Sequence, residues 1–195
     1  MKSILFFTSF ILSLSAYAQF RIGEVHYGGN GCPNGSASVV LTDDRRTISI
    51  LFDQFKAEAG NTTGKRVDRA NCNLRIPMQV DPGYAVALIK VDYRGFSSIP
   101  VGGSATFDAD YIFAGARGPK HNKKVNGPVS DEFLVSNQIQ AQAWSACGKS
   151  IMFGINANAT ATTNSSMEQA MMIVDSADIN TNPGIVYSFT SKRCN

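Results

Sequence analysis

The chain has 195 residues, of which 44% are apolar and 17% are charged, and its formal net charge is +3. This apolar fraction excludes a disordered chain. So small a net charge gives no whole-protein argument for binding nucleic acid or a membrane surface. The length suits one domain with a sizeable hydrophobic core.

The first 18 residues are predicted to form a cleaved signal peptide. Lys2 provides the positive start, residues 4–14 are almost wholly apolar, and Ala16-Tyr17-Ala18 ends the segment with the small residues that signal peptidase requires. The apolar run is shorter than the about 20 residues that span a bilayer as a helix. We therefore expect cleavage after Ala18, a secreted or periplasmic location with no stable membrane span, and a single domain over residues 19–195. A short membrane anchor or a buried N-terminal strand is the alternative.

Period-two alternation of apolar residues recurs along the remaining chain, whereas long helical stripes do not. Both faces of the strand over residues 84–93 are expected to be partly buried, as in a central strand. Residues 167–174 could instead form a helical turn, and two polar stretches, 59–66 and 115–128, are predicted to be flexible loops. Short strands between Gly, Pro, Asn and Asp turns indicate an all-β fold, a two-sheet β-sandwich of mainly antiparallel strands. The predicted strands cover residues 36–41, 47–52, 74–80, 84–93, 104–113, 133–144, 151–155, 170–174 and 185–189.

The four cysteines, Cys32, Cys72, Cys147 and Cys194, all lie outside the predicted leader. An even number of cysteines in an exported chain predicts two disulfides that staple the fold. Sequence alone allows three pairings, and the sequential one keeps each bridge local. No pair has the C-x₂₋₄-C spacing of zinc sites or the C-x-x-C of redox motifs, so neither metal nor redox chemistry is expected.

A basic stretch that contains Arg117, Lys120, Lys123 and Lys124 is a candidate anion-binding loop. Such a loop could attract an anionic surface such as lipopolysaccharide, a teichoic acid or nucleic acid. Because no aromatic residue lies between these charges to stack on bases, nucleic acid is not expected as a partner. The alternative is an ordinary solvated loop, which is what most short charge runs are.

Acidic residues occur in three groups, Asp43-Asp44, Asp108-x-Asp110 and Asp131-Glu132, and are interpreted as turn residues because Asp favours turns. No EF-hand pattern supports calcium binding. The two histidines, His26 and His121, accompany no G-x-S-x-G signature of a serine hydrolase. The sequence therefore predicts no catalytic residue, no cofactor and no metal.

Motifs around the cysteines carry a family resemblance. They are Gly31-Cys32-Pro33-Asn34-Gly35-Ser36, Arg69-Ala70-Asn71-Cys72-Asn73-Leu74 and Trp144-Ser145-Ala146-Cys147-Gly148. With these motifs in this order, the chain resembles domain-of-unknown-function family 4360, small secreted proteins of fungi and bacteria. The resemblance implies four structural cysteines and a β-rich fold. It implies no activity, so no catalytic residue can be carried over.

Three functional hypotheses follow. The first is an exported, non-enzymatic binding or envelope-associated protein, whose unknown partner belongs to the cell envelope or is an extracellular glycan or protein; loops on a rigid frame commonly carry recognition. The second is a secreted hydrolase that acts on glycans through paired carboxylates such as Asp53, Asp92 or Asp108. The third is an inhibitor or toxin that acts on another organism.

Overall fold

The computed structural model describes residues 20–140, 142–174 and 184–194. The predicted leader and its cleavage after Ala18 lie outside these residues. Within them, no helix is long and apolar enough to cross a membrane. The strands, in chain order, are β1 (Phe20–Ile22), β2 (His26–Gly28), β3 (Ala37–Leu41), β4 (Thr47–Phe52), β5 (Lys56–Ala59), β6 (Val67–Val80), β7 (Tyr84–Ile99), β8 (Ser104–Phe113), β9 (Ala116–Arg117), β10 (His121–Asn126), β11 (Val129–Gln138), β12 (Ile151–Thr162), β13 (Ala170–Ile173) and β14 (Ile185–Arg193).

The strands form two antiparallel sheets of seven strands each, here called sheet A and sheet B. Sheet A has the order β1-β6-β12-β8-β10, with β2 also paired to β6 and β9 to β8. Sheet B has the order β3-β4-β14-β7-β13-β5, with β11 on the other side of β7. The predicted two-sheet β-sandwich is thereby confirmed.

Aromatic side chains from the two sheets meet in one core. Successive residues of a strand point to opposite faces, so each strand sends alternate residues inward. Phe153 of β12 packs edge-on against Tyr187 of β14 with ring centroids 4.9 Å apart, and Phe20 of β1 meets Phe189 of β14 at 5.2 Å. Burial of each such side chain stabilises the fold by about 1.5–3 kcal/mol. These contacts hold the two sheets face to face and leave each an outer face that is turned away from the partner sheet.

Several strands are longer than the sequence predicted, because their inward residues continue as small side chains that give a weak apolar signal. Strand β12 extends beyond Ile155 through the buried alanines Ala157, Ala159 and Ala161. The strand predicted over residues 133–144 is wrong in its second half. Strand β11 ends at Gln138, and the chain returns to β7 only at one bridge between Trp144 and Ala87.

Residues 115–128, predicted to be a flexible loop, contain strands β9 and β10. Strand β10 pairs along six residues of β8. Its inward residues include His121 and Lys123, which are not apolar, and this conceals the period-two pattern. The alternative of a helical turn over residues 167–174 is also wrong, since residues Ala170–Ile173 form β13. The stretch 59–66 is a tight turn closed by a bridge between Gly60 and Lys65.

The two disulfides have the sequential pairing, Cys32–Cys72 and Cys147–Cys194. Both sulfur-bearing residues of the first bridge are fully buried. This bridge ties the loop after β2 to the middle of β6, next to Gly31, where a Cβ would lie 2.5 Å from the Phe55 ring. The second bridge ties residue 147 to the segment that follows β14 and lies at the surface.

Candidate binding face on sheet A

The outer face of sheet A carries six Asn and Asp side chains on its three central strands. Strand β6 contributes Asn71 and Asn73, β12 contributes Asn156 and Asn158, and β8 contributes Asp108 and Asp110. Their inward neighbours on each strand are buried, so all six point outward. We call this set the Asn/Asp block.

Strand register places the block in two straight rows across the sheet. Directly opposed residues of neighbouring strands share a face, with about 4.8 Å between strands. One row runs Asn73, Asn156, Asp110, and the other runs Asn71, Asn158, Asp108, with Asn122 of β10 continuing it. The block is therefore one contiguous patch of amide and carboxylate groups.

Hydrogen bonds orient part of this patch and leave the rest available. The Asn156 side chain donates to Asp110 Oδ1 at 2.6 Å, and that of Asn122 donates to Asp108 Oδ1 at 2.7 Å. Among the described residues, the side chains of Asn73 and Asn158 have no hydrogen-bond partner. The face thus offers both donors and acceptors to a ligand.

The composition of the block opposes local folding preference. Asn and Asp are among the residues least favoured in strands, and the measured scale spans about 1 kcal/mol. All six lie within strands rather than at turns. Places where a sequence breaks a local rule without a structural gain are typically functional. The interpretation of Asp108 and Asp110 as turn residues is accordingly wrong, because both lie in the middle of β8.

The four residues of the predicted anion-binding loop divide between two faces. Arg117 pairs with Ile112 and Lys124 with Thr106, which places both side chains on the outer face of sheet A. The ammonium of Lys120 reaches the same face and lies 3.5 Å from Asp108 Oδ1. Lys123 pairs with the buried Phe107 and points to the other side of the sheet. Anion binding by these residues stays a prediction.

The carboxylates named for a hydrolase do not come together as a set. Asp53 is exposed in the turn after β4. Asp92 lies on the outer face of sheet B beside Lys90, whose ammonium is 2.7 Å from its Oδ2. Asp108 lies on the outer face of sheet A. Since Asp92 and Asp108 face opposite sides of the sandwich, they cannot act on one substrate bond.

His121 is buried, with 7% of its surface exposed, at the start of β10. Its ring packs against those of Tyr93 and Tyr111, and its Nε2 is buried without a hydrogen-bond partner among the described residues. Burial lowers the pKa of this imidazole and raises the pKa of the Tyr93 and Tyr187 hydroxyls. The expectation that His121 lies in a flexible loop is therefore wrong, and the polar appearance of its segment is the reason.

An open groove of about 480 Å³ lies at one end of the sandwich, between the β7–β11 pair and the segment before β13. Its walls include Pro100, Pro128 and Gln169, and among the described residues that line it only Glu168 is charged. Across the described ranges, no cluster of three or more His, Cys, Asp or Glu side chains could hold a metal ion. The groove brings no reactive set of groups together.

Family comparison identifies the chain. A family model described as Domain of unknown function (DUF4360) matches residues 18–194. The chain therefore belongs to this family, as the cysteine motifs indicated. An "Uncharacterized secreted protein" of Arthroderma benhamiae is 30% identical over 161 residues, which are 81% of this chain and 66% of the relative. The chain thus spans about two thirds of that relative's length.

Solved structures show only weak similarity. TmCBM61 in complex with β-1,4-galactotriose is 10% identical, with a TM-score of 0.26 over 93% of this chain and 100% of that one. The Clostridium thermocellum xylanase 10B CBM22-1–GH10 modules complexed with xylohexaose are 10% identical, with a TM-score of 0.26 over 93% of this chain and 27% of that one. At this TM-score neither structure supports an inference about the fold or ligand of the present chain.

Proposed function

We propose that this member of the DUF4360 family is an exported, non-catalytic binding protein that holds a glycan on the outer face of sheet A. The observation that carries the proposal is the Asn/Asp block, a two-row patch of amides and carboxylates in the middle of a rigid sheet. Hydroxyl groups both donate and accept hydrogen bonds, so a hydroxyl-rich chain matches the mixed donors and acceptors of this patch.

Two further observations support export. Disulfides persist in oxidising compartments outside the cytoplasm, and all four cysteines are paired. The similar Arthroderma protein carries the description "secreted". A signal peptide over residues 1–18 accounts for this location. The face itself is built on strands, which hold binding groups more firmly than loops do.

The test is a comparison of two outer faces. Purified residues 19–195 are screened against a panel of plant, fungal and bacterial polysaccharides, and the affinity for the best ligand is measured by calorimetry. The variant Asn73→Ala/Asn158→Ala removes two side chains that have no partner within the described fold. Each lost hydrogen bond costs about 0.5–1.5 kcal/mol, so we expect about a tenfold loss of affinity.

The matched control is Ser38→Ala/Ser136→Ala, which removes two exposed hydroxyls from the outer face of sheet B. We expect this control to bind like the wild type. Absence of binding to every glycan, or equal losses in both variants, would contradict the proposal. Circular dichroism of each variant establishes that the fold is intact.

A hydrolase remains the second candidate because Asp108 and Asp110 lie on the same face, two residues apart on β8. Two residues along a strand are about 6.6 Å, close to the carboxylate separation of about 6.5–9.5 Å in inverting glycosidases. Release of reducing ends from the bound glycan, abolished in Asp108→Asn and Asp110→Asn, would favour this candidate. Binding without release in the wild type would favour the non-catalytic one.

A further inference from the structure

We propose that the glycan is anionic, with its negative groups spaced apart, and that four cations at the corners of the Asn/Asp block bind those groups. This inference rests on the proposed function and specifies its ligand. The corner cations are Arg69, Arg75, Arg117 and Lys124. Each belongs to one of two further rows of opposed residues, which run across the sheet on either side of the block.

Register defines these bordering rows. One row runs Arg69, Thr160, Thr106, Lys124, and the other runs Arg75, Gly154, Ile112, Arg117. In each row the cations stand at the two ends and the residues between them are uncharged. The rows span three strand spacings, about 14 Å, and six residues along β6 separate them by about 20 Å. The rectangle marked by the four corner cations is large enough for several linked sugars.

The corner cations are unpaired within the described chain. None of the four lies within 4.0 Å of a described carboxylate, whereas other lysines on the surface, such as Lys56, Lys65 and Lys90, form ion pairs. Because these cations have no described carboxylate partner, they are available to an anionic ligand that lies over the Asn/Asp block. On this face, the four corner cations outnumber the two block carboxylates, and Lys120 further offsets Asp108.

Arg75 is positioned in advance of any ligand. Its Nη1 donates to the carbonyl of Leu74 at 2.8 Å. The guanidinium lies across Gly154 of the neighbouring strand, where a Cβ would be 3.3 Å from Nη1. Glycine inside a strand commonly marks a close approach of another group. Here it allows the planar guanidinium to lie against the sheet, with its remaining donors available for a carboxylate, sulfate or phosphate.

The carboxylates at the centre decide which polyanion fits. Asp108 and Asp110 repel negative groups near the middle, so anionic groups are favoured only toward the corners. A polymer with a charge on every unit would place some of its charges over these carboxylates. A nucleic acid would do so as well, and none of the outward residues of β6, β8 and β12 is aromatic, so bases have no ring on which to stack there. In a glycan whose acidic sugars are separated by neutral ones, the acidic groups can lie at the corner cations while neutral sugars lie over Asp108 and Asp110.

The experiment uses four probes and two variants. Hyaluronan, in which acidic and neutral sugars alternate, is compared with carboxyl-reduced hyaluronan, with polygalacturonate and with single-stranded DNA. The corner variant is Arg75→Gln/Lys124→Gln. The matched control, Lys149→Gln/Arg193→Gln, removes two exposed cations that lie outside this face. Affinities are measured at two salt concentrations, because exposed charge interactions are screened by salt.

We expect the wild type to bind hyaluronan at least fivefold more tightly than the reduced polymer, and more tightly than polygalacturonate or DNA. The corner variant should lose about fivefold for hyaluronan, with a weaker salt dependence, and nothing for the reduced polymer. The control variant should retain the wild-type affinity. Equal binding of the reduced and acidic polymers would overturn the inference and leave the proposed function intact, provided that Asn73→Ala/Asn158→Ala still weakens both. Equal or tighter binding of DNA or polygalacturonate would also overturn it.

Discussion

The outer faces of the two sheets differ in kind. The outer face of sheet B mixes apolar side chains such as Leu134 and Val40 with ion pairs such as Lys90–Asp92 and Lys56–Glu58. This is the composition of an ordinary solvated face, where scattered apolar residues and exposed ion pairs have little consequence. The residues of this face fit an exposed sheet surface and do not indicate a binding site.

The outer face of sheet A lacks this mixture at its centre and presents the Asn/Asp block, bordered by the corner cations. The two sheets have inner faces of the same apolar character, so the difference cannot arise from core packing. Under the proposed function, the residues of this face serve recognition and lower the stability of the sheet. The following predictions test this division, from the largest expected effect to the smallest.

Removal of the buried bridge in Cys32→Ala/Cys72→Ala should have the largest effect. Closing a loop of this length stabilises the fold by about 4 kcal/mol in the unfolded-chain model, and the lost packing of two fully buried residues adds to the loss of stability.

The exposed bridge at the end of sheet B should be reduced first by mild thiol treatment of the native protein. Peptide mapping after alkylation would show labelled Cys147 and Cys194 before labelled Cys72, and the reverse order would contradict this difference.

Substitutions at two neighbouring residues of β6 should differ in their effect on the free energy of unfolding, because one points inward and the other outward. Leu74 is fully buried, and Leu74→Ala should cost about 3 kcal/mol in urea unfolding, because a cavity remains. Asn73→Ala, one residue earlier on the outer face, should change the free energy of unfolding by less than about 0.5 kcal/mol. A large loss in Asn73→Ala would mean that the block supports the fold.

Asn158→Thr should raise stability and lower affinity together. Threonine suits the centre of a sheet better than asparagine, and the gain should be up to about 1 kcal/mol. The same change removes an amide from the block, so glycan binding should weaken. Thermal unfolding measures the stability and calorimetry measures the glycan affinity of the same sample. A variant that is both more stable and tighter in binding would contradict the prediction.

His121 should give the sandwich a narrow acid-sensitive step. Because burial lowers its pKa, the folded protein resists protonation that the unfolded chain, with a histidine pKa of about 6.5, accepts. Its contribution is complete above about pH 6.5 and is lost as the pH falls below that value. Urea midpoints between pH 7 and pH 5 should decline in the wild type and in His26→Gln, which alters an exposed histidine, but less in His121→Phe.

The sequence predicted the fold class and the strands that have large apolar residues on alternate positions. Strands β4 and β8 begin and end at the predicted residues. It did not predict β10, because one inward residue is a buried histidine and another is a lysine. Strand periodicity depends on burial, and burial of such residues is decided by the partner sheet.

The Asn/Asp block was missed for a related reason. Asn71, Asn158 and Asp108 are far apart in the chain, and only the register of β6, β12 and β8 makes them neighbours. Asp and Asn also favour turns, so Asp108 and Asp110 were interpreted as turn residues rather than as part of a site. The alternation of Asn with buried Ala from Asn156 to Ala159 is a local signal of an outward polar row.

The position of β14 has a consequence for the order in which the chain can assemble. This strand, close to the C-terminal end of the described chain, lies between β4 and β7 in the middle of sheet B. A chain delivered from its N-terminus, by a ribosome or through a translocation pore, therefore lacks the central element of one sheet until residues 185–193 emerge. Until then β4 and β7 have no strand between them, so sheet B cannot be completed before β14 arrives.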